Sequence, residues 1–357
     1  MRVLFASPFP YLPHNTSGRE VTTHAMALRL RDRGSAAAVF AGLPPGPTAA
    51  DAPYVTDEGL GYPVFRASRP LAAYHAVLAA WRPDAVVLPL SAPCAPLAAI
   101  DLQAGIRTAF LATNADTQDL ATQLIAQPGI GLIANSPFTA RRLETLFGVR
   151  PPILLPLIEP EPYRVASQGD AVLMVNPSVE KGVETFFRLA AARPAIPFLA
   201  VESWTVTDTW RTVLMNRART LGNVELWPAV EDMREALARA RIVLMPSIYE
   251  ETYGRAVAEA QLSGIPALVS DRGALPETLG AGGRVAPLDG GIGPWLEALD
   301  SLWNDPAQYR ACAAAALAEA ARPERQPERI VADLLGMIEA LSPPISETGG
   351  SPRSATF

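Results

Sequence analysis

The chain has 357 residues, 49% of them hydrophobic and 18% charged, with a formal net charge of -6. That length exceeds one typical core and suits two domains. The composition is that of a soluble globular protein rather than a disordered one, and the acidic balance excludes a nucleic-acid binder, which needs a basic stripe. Cys94 and Cys312 fall in different predicted domains and form neither a disulfide framework nor a metal-ligand spacing, a usage that fits a reducing cytoplasm.

From the amino terminus, short apolar runs alternate with longer helical periods, the pattern of βα units and parallel sheets. Strands are predicted at Val3–Ala6, Ala36–Ala41, Ala85–Leu90, Thr108–Leu111 and Gly131–Ala134, with helices at Glu20–Arg33, Leu71–Trp81, Gln118–Ile125 and Phe138–Phe147. Pro8, Pro10 and Pro13 cut the first apolar run too short for a signal peptide. Prolines likewise interrupt the uncharged run Ala85–Ile100, which is therefore not expected to span a bilayer. A proline-rich passage, Pro151–Pro162, reads as a linker. The alternation then resumes with strands at Ala171–Val175, Phe198–Val201, Val224–Trp227, Ile242–Met245 and Ala267–Val269, and closes with helices at Pro306–Ala321 and Glu328–Leu341. Pro343–Phe357, rich in Ser, Thr, Gly and Pro, reads as a disordered tail.

Chemistry concentrates after the strand that ends at Met245. Pro246-Ser247-Ile248-Tyr249-Glu250-Glu251-Thr252-Tyr253-Gly254-Arg255 leads into the apolar helical stretch Ala256-Val257-Ala258-Glu259-Ala260, followed by Ser263-Gly264-Ile265-Pro266. A strand, a glycine turn and a helix N-terminus make a place for an anion. Seven residues separate Glu251 from Glu259, whereas Glu250 is out of register by one. A carboxylate inside an apolar helix is costly to bury without a partner, and a ligand hydroxyl is one candidate.

A second clue is Lys181, the only lysine beside 29 arginines. In that background a compact ammonium on a flexible stem points to a site that a planar guanidinium does not serve. It lies in Val175-Asn176-Pro177-Ser178-Val179-Glu180-Lys181-Gly182, between a strand and a helix, where it can reach a phosphate.

The Glu-x7-Glu segment with its flanking Pro-Ser, Tyr-Gly-Arg and Gly-x-Pro resembles the family-four retaining glycosyltransferases of the GT-B fold. The resemblance implies two Rossmann-like βα domains facing a central cleft: an acceptor-binding domain over 1–155 and a nucleotide-sugar domain over 156–330. A C-terminal helix over 331–342 would return to the first domain, and 343–357 would form the tail. It further implies that Glu251 acts near the reacting sugar carbon and that Glu259 binds the ribose hydroxyls. Lys181 and the Thr252-Tyr253-Gly254 turn would hold the donor diphosphate. The family's Gly-Arg-x-x-x-x-Lys-Gly keeps Lys181-Gly182 here, but Asn176 stands at the arginine's position.

In the first domain Ser17-Gly18-Arg19-Glu20 is similar to the family's Gly-Gly-x-Glu, which places Gly18 beside the diphosphate. His14, on the loop entering the cleft, is an acceptor-side candidate. So are Asn114 and Asp116, on a loop where relatives often carry a histidine. His24, four residues after Glu20, reads as structural.

The resemblance implies metal-independent transfer, with retention, from a UDP- or GDP-sugar to an acceptor hydroxyl, with no cofactor beyond the donor. No Asp-x-Asp motif is present. Residues 1–150 carry twelve arginines against ten acids and the rest eighteen cations against twenty-six acids. A first half at +2 implies at most weak membrane association, so the expected acceptor is a soluble small molecule or glycan and the expected location cytoplasmic. The competing readings are a GT-B epimerase or phosphorylase, and a non-catalytic nucleotide-sugar binder or partner subunit.

Overall fold

A computed structural model describes residues 1–44, 52–114, 127–166, 169–202 and 207–342. The chain folds into two Rossmann-like α/β halves, each built on its own, almost wholly parallel sheet. One compact unit comprises Met1–Ala134, Leu143–Leu154 and the chain from Val331 on; the other comprises Asn135–Arg142 and Leu155–Ile330.

The first sheet contains β1 (Arg2–Pro10), β2 (Ala36–Gly42), β3 (Val55–Asp57), β4 (Val64–Ala67), β5 (Ala85–Pro89), β6 (Arg107–Ala112) and β7 (Ile130–Ala134), in the order β3-β4-β2-β1-β5-β6-β7. Only β3 pairs antiparallel, with β4. Helices α1 (Gly18–Asp32), α2 (Pro70–Trp81) and α3 (Ala95–Gln103) connect the strands. The strand order reverses between β1 and β5, the kind of switch point where open α/β sheets gather ligands.

After α4 (Pro137–Phe147) and an irregular passage, the second sheet contains β8 (Ala171–Val175), β9 (Phe198–Val201), β10 (Val224–Trp227), β11 (Ala240–Met245), β12 (Ala267–Ser270) and β13 (Gly283–Ala286), in the order β10-β9-β8-β11-β12-β13. The switch point falls between β8 and β11. The helices are α5 (Val183–Ala192), α6 (Asp208–Leu221), α7 (Met233–Arg239), α8 (Arg255–Gln261), α9 (Leu275–Leu279), α10 (Gly293–Asn304), α11 (Pro306–Ala320) and α12 (Pro327–Glu339).

The continuous apolar run of β8 follows from burial on both faces, as parallel sheets require. Ala171 and Leu173 join a core with Val257 and Ala260 of α8 and Leu275 of α9. Val172 and Met174 join the opposite core with Phe186 and Phe187 of α5 and Trp295 of α10. Side-chain alternation along the strand divides these residues between the two faces.

Every strand predicted from sequence is present, some with shifted ends. Three further strands carry weak signals: β3 is a three-residue edge, β4 contains the buried Arg66, and β13 opens on a glycine. The predicted helix Gln118–Ile125 and the tail Pro343–Phe357 lie outside the described residues.

Candidate functional site

In the second half the loops following the neighbouring strands β8, β11 and β12 converge. Asn176 follows β8 in the left-handed region, φ 58°. Asparagine tolerates that conformation better than a long side chain does, so the backbone here suits Asn176 and would strain an arginine. The loop then turns through Gly182, φ 79°, where an added Cβ would stand 1.9 Å from the Pro246 carbonyl oxygen. Only glycine permits that approach. The Glu180 carbonyl accepts the Ile248 N–H at 2.9 Å, joining the two loops.

This joining brings together two residues seventy positions apart. Lys181 Nζ lies 2.5 Å from Glu251 Oε1. Ser247 Oγ donates to the same oxygen at 2.8 Å, and the Ser247 carbonyl accepts from Ser270 Oγ at 2.7 Å. The Glu251 carbonyl accepts the Ala274 N–H at 2.7 Å. Glu251 is thus 92% buried and held through both side chain and backbone, while Lys181 keeps about a quarter of its side chain exposed. An ammonium carries three N–H donors, and Glu251 uses one.

The turn after Glu251 faces inward. Thr252 Oγ1 accepts from Asn135 Nδ2 at 3.0 Å, and Asn135 Oδ1 accepts from Thr139 Oγ1 at 2.9 Å. Tyr253 packs in the core, where burial pushes its phenol above the ordinary value. Gly254, φ 89°, leads into α8.

Glu259 also has protein partners. Arg255 Nε, one turn earlier, lies 2.6 Å from its Oε1. Arg255 further donates to the Tyr163 hydroxyl at 3.1 Å and the Leu157 carbonyl at 3.0 Å. Burial pushes the Glu259 carboxyl above its usual range, and Arg255 and the Tyr163 hydroxyl oppose that shift. The partner that sequence reasoning sought in a ligand is therefore available on the same helix.

Sequence reasoning did not single out Asn135, Thr139 or Arg255, and gave Ser247 no role. Ser247 sat within the quoted motif, and Arg255 stood at the i,i+4 spacing from Glu259. Asn135 and Thr139 come from far upstream and left no local signal. Arg142, from the same upstream segment, pairs at 2.8 Å with Glu250, the acid outside the Glu-x7-Glu register.

In the first half, Gly18 opens α1 and Ser17 Oγ donates to the buried Glu20, which Arg19 Nε also contacts at 2.8 Å. His14 is exposed, its N–H donating to the Tyr11 carbonyl at 3.0 Å. Asn114 is exposed just beyond β6, and Asp116 lies outside the described residues. His24 Nδ1 lies 2.7 Å from the Tyr62 hydroxyl, and burial lowers the imidazole pKa.

Residues 171–305, the segment carrying Lys181, Glu251 and Glu259, match the family model described as glycosyl transferases group 1. The chain also superposes over nearly its full length on solved structures. HepE from Anabaena, solved with UDP-glucose, matches at TM-score 0.76 and 17% identity over 94% of this chain and 99% of that one. Sucrose-phosphate synthase from Thermosynechococcus elongatus matches at 0.76 and 14% identity over 95% and 98%. The fold is GT-B. A glycosyltransferase from Rickettsia africae matches this GT-B chain at 0.76 and 12% identity over 95% and 98%. No curated protein matches. Among the described residues, no helix of this GT-B chain is long and apolar enough to cross a membrane.

Proposed function

We propose that the chain is a retaining glycosyltransferase that moves a sugar from a UDP- or GDP-sugar to an acceptor hydroxyl without an obligatory metal. The observation that carries this reading is the pairing of Lys181 with Glu251 at the carboxyl ends of β8 and β11, the switch point of the second sheet. The group 1 match over the same residues and the neighbour solved with UDP-glucose support it.

In the reaction, the acceptor oxygen bonds to the anomeric carbon as the bond from that carbon to the diphosphate breaks. The electron pair leaves with the nucleoside diphosphate, and a phosphate oxygen takes the acceptor proton. Charge grows on the leaving phosphate, where Lys181 and the N-terminus of α5 stabilise it. Glu251, pinned by Ser247 and Lys181, supplies negative charge for oxocarbenium character at the sugar carbon. Glu259 offers its carboxylate to the ribose hydroxyls with Arg255 behind it.

The test is thermal unfolding with UDP, GDP and their sugars, with and without EDTA, followed by transfer assays and NMR of the product anomer. A shift with one nucleotide that EDTA leaves intact, and a product with the donor's anomeric configuration, support the reading. Inversion overturns retention, and loss of turnover in EDTA overturns metal independence. Nucleotide binding with neither transfer nor donor hydrolysis would favour a non-catalytic binder.

A further inference from the structure

Three side chains close a triangle beside α8. Arg255 commits every nitrogen of its guanidinium: Nε lies 2.6 Å from Glu259 Oε1, Nη1 donates to the Leu157 carbonyl at 3.0 Å and Nη2 to the Tyr163 hydroxyl at 3.1 Å. The Tyr163 hydroxyl in turn donates to the Glu259 carboxylate. Tyr163 and Glu259 are both buried.

Tyr163 directly follows the proline-rich passage and stands 92 positions before Arg255. It is fixed on α8 through its backbone as well as its side chain. Ser263, just beyond the helix, donates its hydroxyl to the Tyr163 carbonyl at 3.4 Å and accepts the Val165 N–H at 2.8 Å. The Arg255 guanidinium also lies over the Tyr163 ring at 5.6 Å.

The triangle does more than compensate a charge. A glutamate side chain is flexible, and a single donor would only tether it. Two donors from different segments of the chain fix its carboxylate plane. The guanidinium cannot slide across to grip both carboxylate oxygens, because Leu157 and Tyr163 hold its Nη groups. An ionised carboxylate offers about four acceptor sites, so these donors leave about half of them for a ligand.

Charge follows the same arrangement. Burial pushes the Glu259 carboxyl above its usual range, while Arg255 and the Tyr163 hydroxyl oppose it. Burial also raises the Tyr163 phenol, so it keeps the proton that it donates. The charges on the elements packed against α8 are engaged elsewhere. Glu319 of α11 pairs with Arg322 and Arg325, Glu277 of α9 with Arg141, and Arg241 of β11 lies over the Trp303 ring.

Resting on the nucleotide-sugar reading for the ligand, we propose that Arg255 and Tyr163 are positioning residues, which together aim the Glu259 carboxylate at the ribose hydroxyls of the bound nucleotide. Neither residue touches the reacting atoms. The selectivity that they set is for ribose over deoxyribose, since only ribose brings a 2′-hydroxyl to that carboxylate.

The experiment is calorimetric titration of the full chain with UDP or GDP, whichever binds, beside the 2′-deoxy form of the same nucleotide, from about pH 5 to about pH 9. The ratio of the two affinities cancels the titration of the phosphates, which both ligands share. The wild type is expected to prefer the ribonucleotide about tenfold, the worth of a hydrogen bond to a charged group. That preference is lost as pH falls and Glu259 takes a proton. Tyr163→Phe removes one hydroxyl and should lose the preference at a higher pH than the wild type, because burial is then less opposed. Arg255→Gln, which removes the charge, should move the loss further in the same direction. If Arg255→Gln does not fold, Tyr163→Phe alone decides the outcome. Tyr309→Phe, a phenol of α11 beside Arg241, is the control and should match the wild type. An unchanged pH dependence in Tyr163→Phe overturns the proposal even where its melting temperature falls, since the triangle is then structural only. Equal affinity for the two nucleotides in the wild type at every pH also overturns it and leaves the transferase reading standing. Binding of neither UDP nor GDP sinks the transferase reading, and the proposal with it.

Discussion

Lys181 Nζ stands 2.5 Å from Glu251 Oε1, so the one lysine of the chain and the first acid of the Glu-x7-Glu motif form a single charged unit. Each fixes the other: the ammonium compensates a carboxylate that is 92% buried, and the carboxylate aims a flexible stem.

Removing that ammonium should act on chemistry more than on binding. Lys181→Ala is expected to lower turnover about 10²- to 10³-fold, as does loss of one preorganised donor elsewhere. Lys181→Arg should recover little, because the planar fork does not occupy the ammonium's place. Steady-state kinetics with the accepted donor check both, and unchanged turnover in Lys181→Ala would remove the residue from the mechanism.

Gly182→Ala should displace the lysine without deleting it. The new Cβ would meet the Pro246 carbonyl oxygen at 1.9 Å, and φ of 79° strains any L side chain. Thermal unfolding should show a clear loss of stability, and nucleoside-diphosphate titration a weakened affinity. A variant with native stability and affinity would mean that the two loops are not as tightly joined as the geometry implies.

The Arg255–Glu259 pair separates a structural role from a ligand-binding one. Arg255→Met leaves a buried carboxylate uncompensated and should destabilise the fold by about 3–5 kcal/mol in urea unfolding. Arg255→Met with Glu259→Leu should recover most of that stability. If Glu259 reads the ribose, the folded double variant binds nucleotide at least tenfold more weakly; equal affinity would confine Glu259 to the core.

Asp101 should make stability depend on pH. Burial pushes its carboxyl from 3.8 up to about 7, although the Tyr74 hydroxyl donates to it at 2.9 Å. The unfolded chain loses this proton near pH 4 and the folded chain only near pH 7, so the folded state holds more protons in between. The stabilising contribution is therefore complete below about pH 4, declines as pH rises, and is lost above about pH 7. The difference of about three pKa units corresponds to roughly 4 kcal/mol at most. Denaturant unfolding of Asp101→Asn between pH 5 and 8 should show a flatter slope than wild type. Parallel slopes would mean that the native carboxyl is already ionised at pH 5.

Much of this was readable in advance because the physics is local. The run Ala171–Val175 had to be a doubly covered strand, and the interval from Glu251 to Glu259 could be counted. The left-handed backbone at Asn176 was not readable, nor was the close approach at Gly182, which depends on a loop more than sixty residues away. Nor was the Asn135 bond to Thr252, which spans 117 positions. Local pattern shows which residues carry chemistry, and long-range packing decides what each side chain touches.

The division of the chain has a consequence for modularity. The polypeptide passes from one unit to the other after Ala134, Arg142, Leu154 and Ile330, so neither unit is a continuous stretch. Residues 155–330 expressed alone would keep Lys181 and Glu251 but lose Asn135, the amide behind Thr252, and Arg142, the partner of Glu250. A chimera that exchanges the donor half between relatives must therefore carry residues 135–142 with it, although they precede the proline-rich passage where a sequence-based cut would fall.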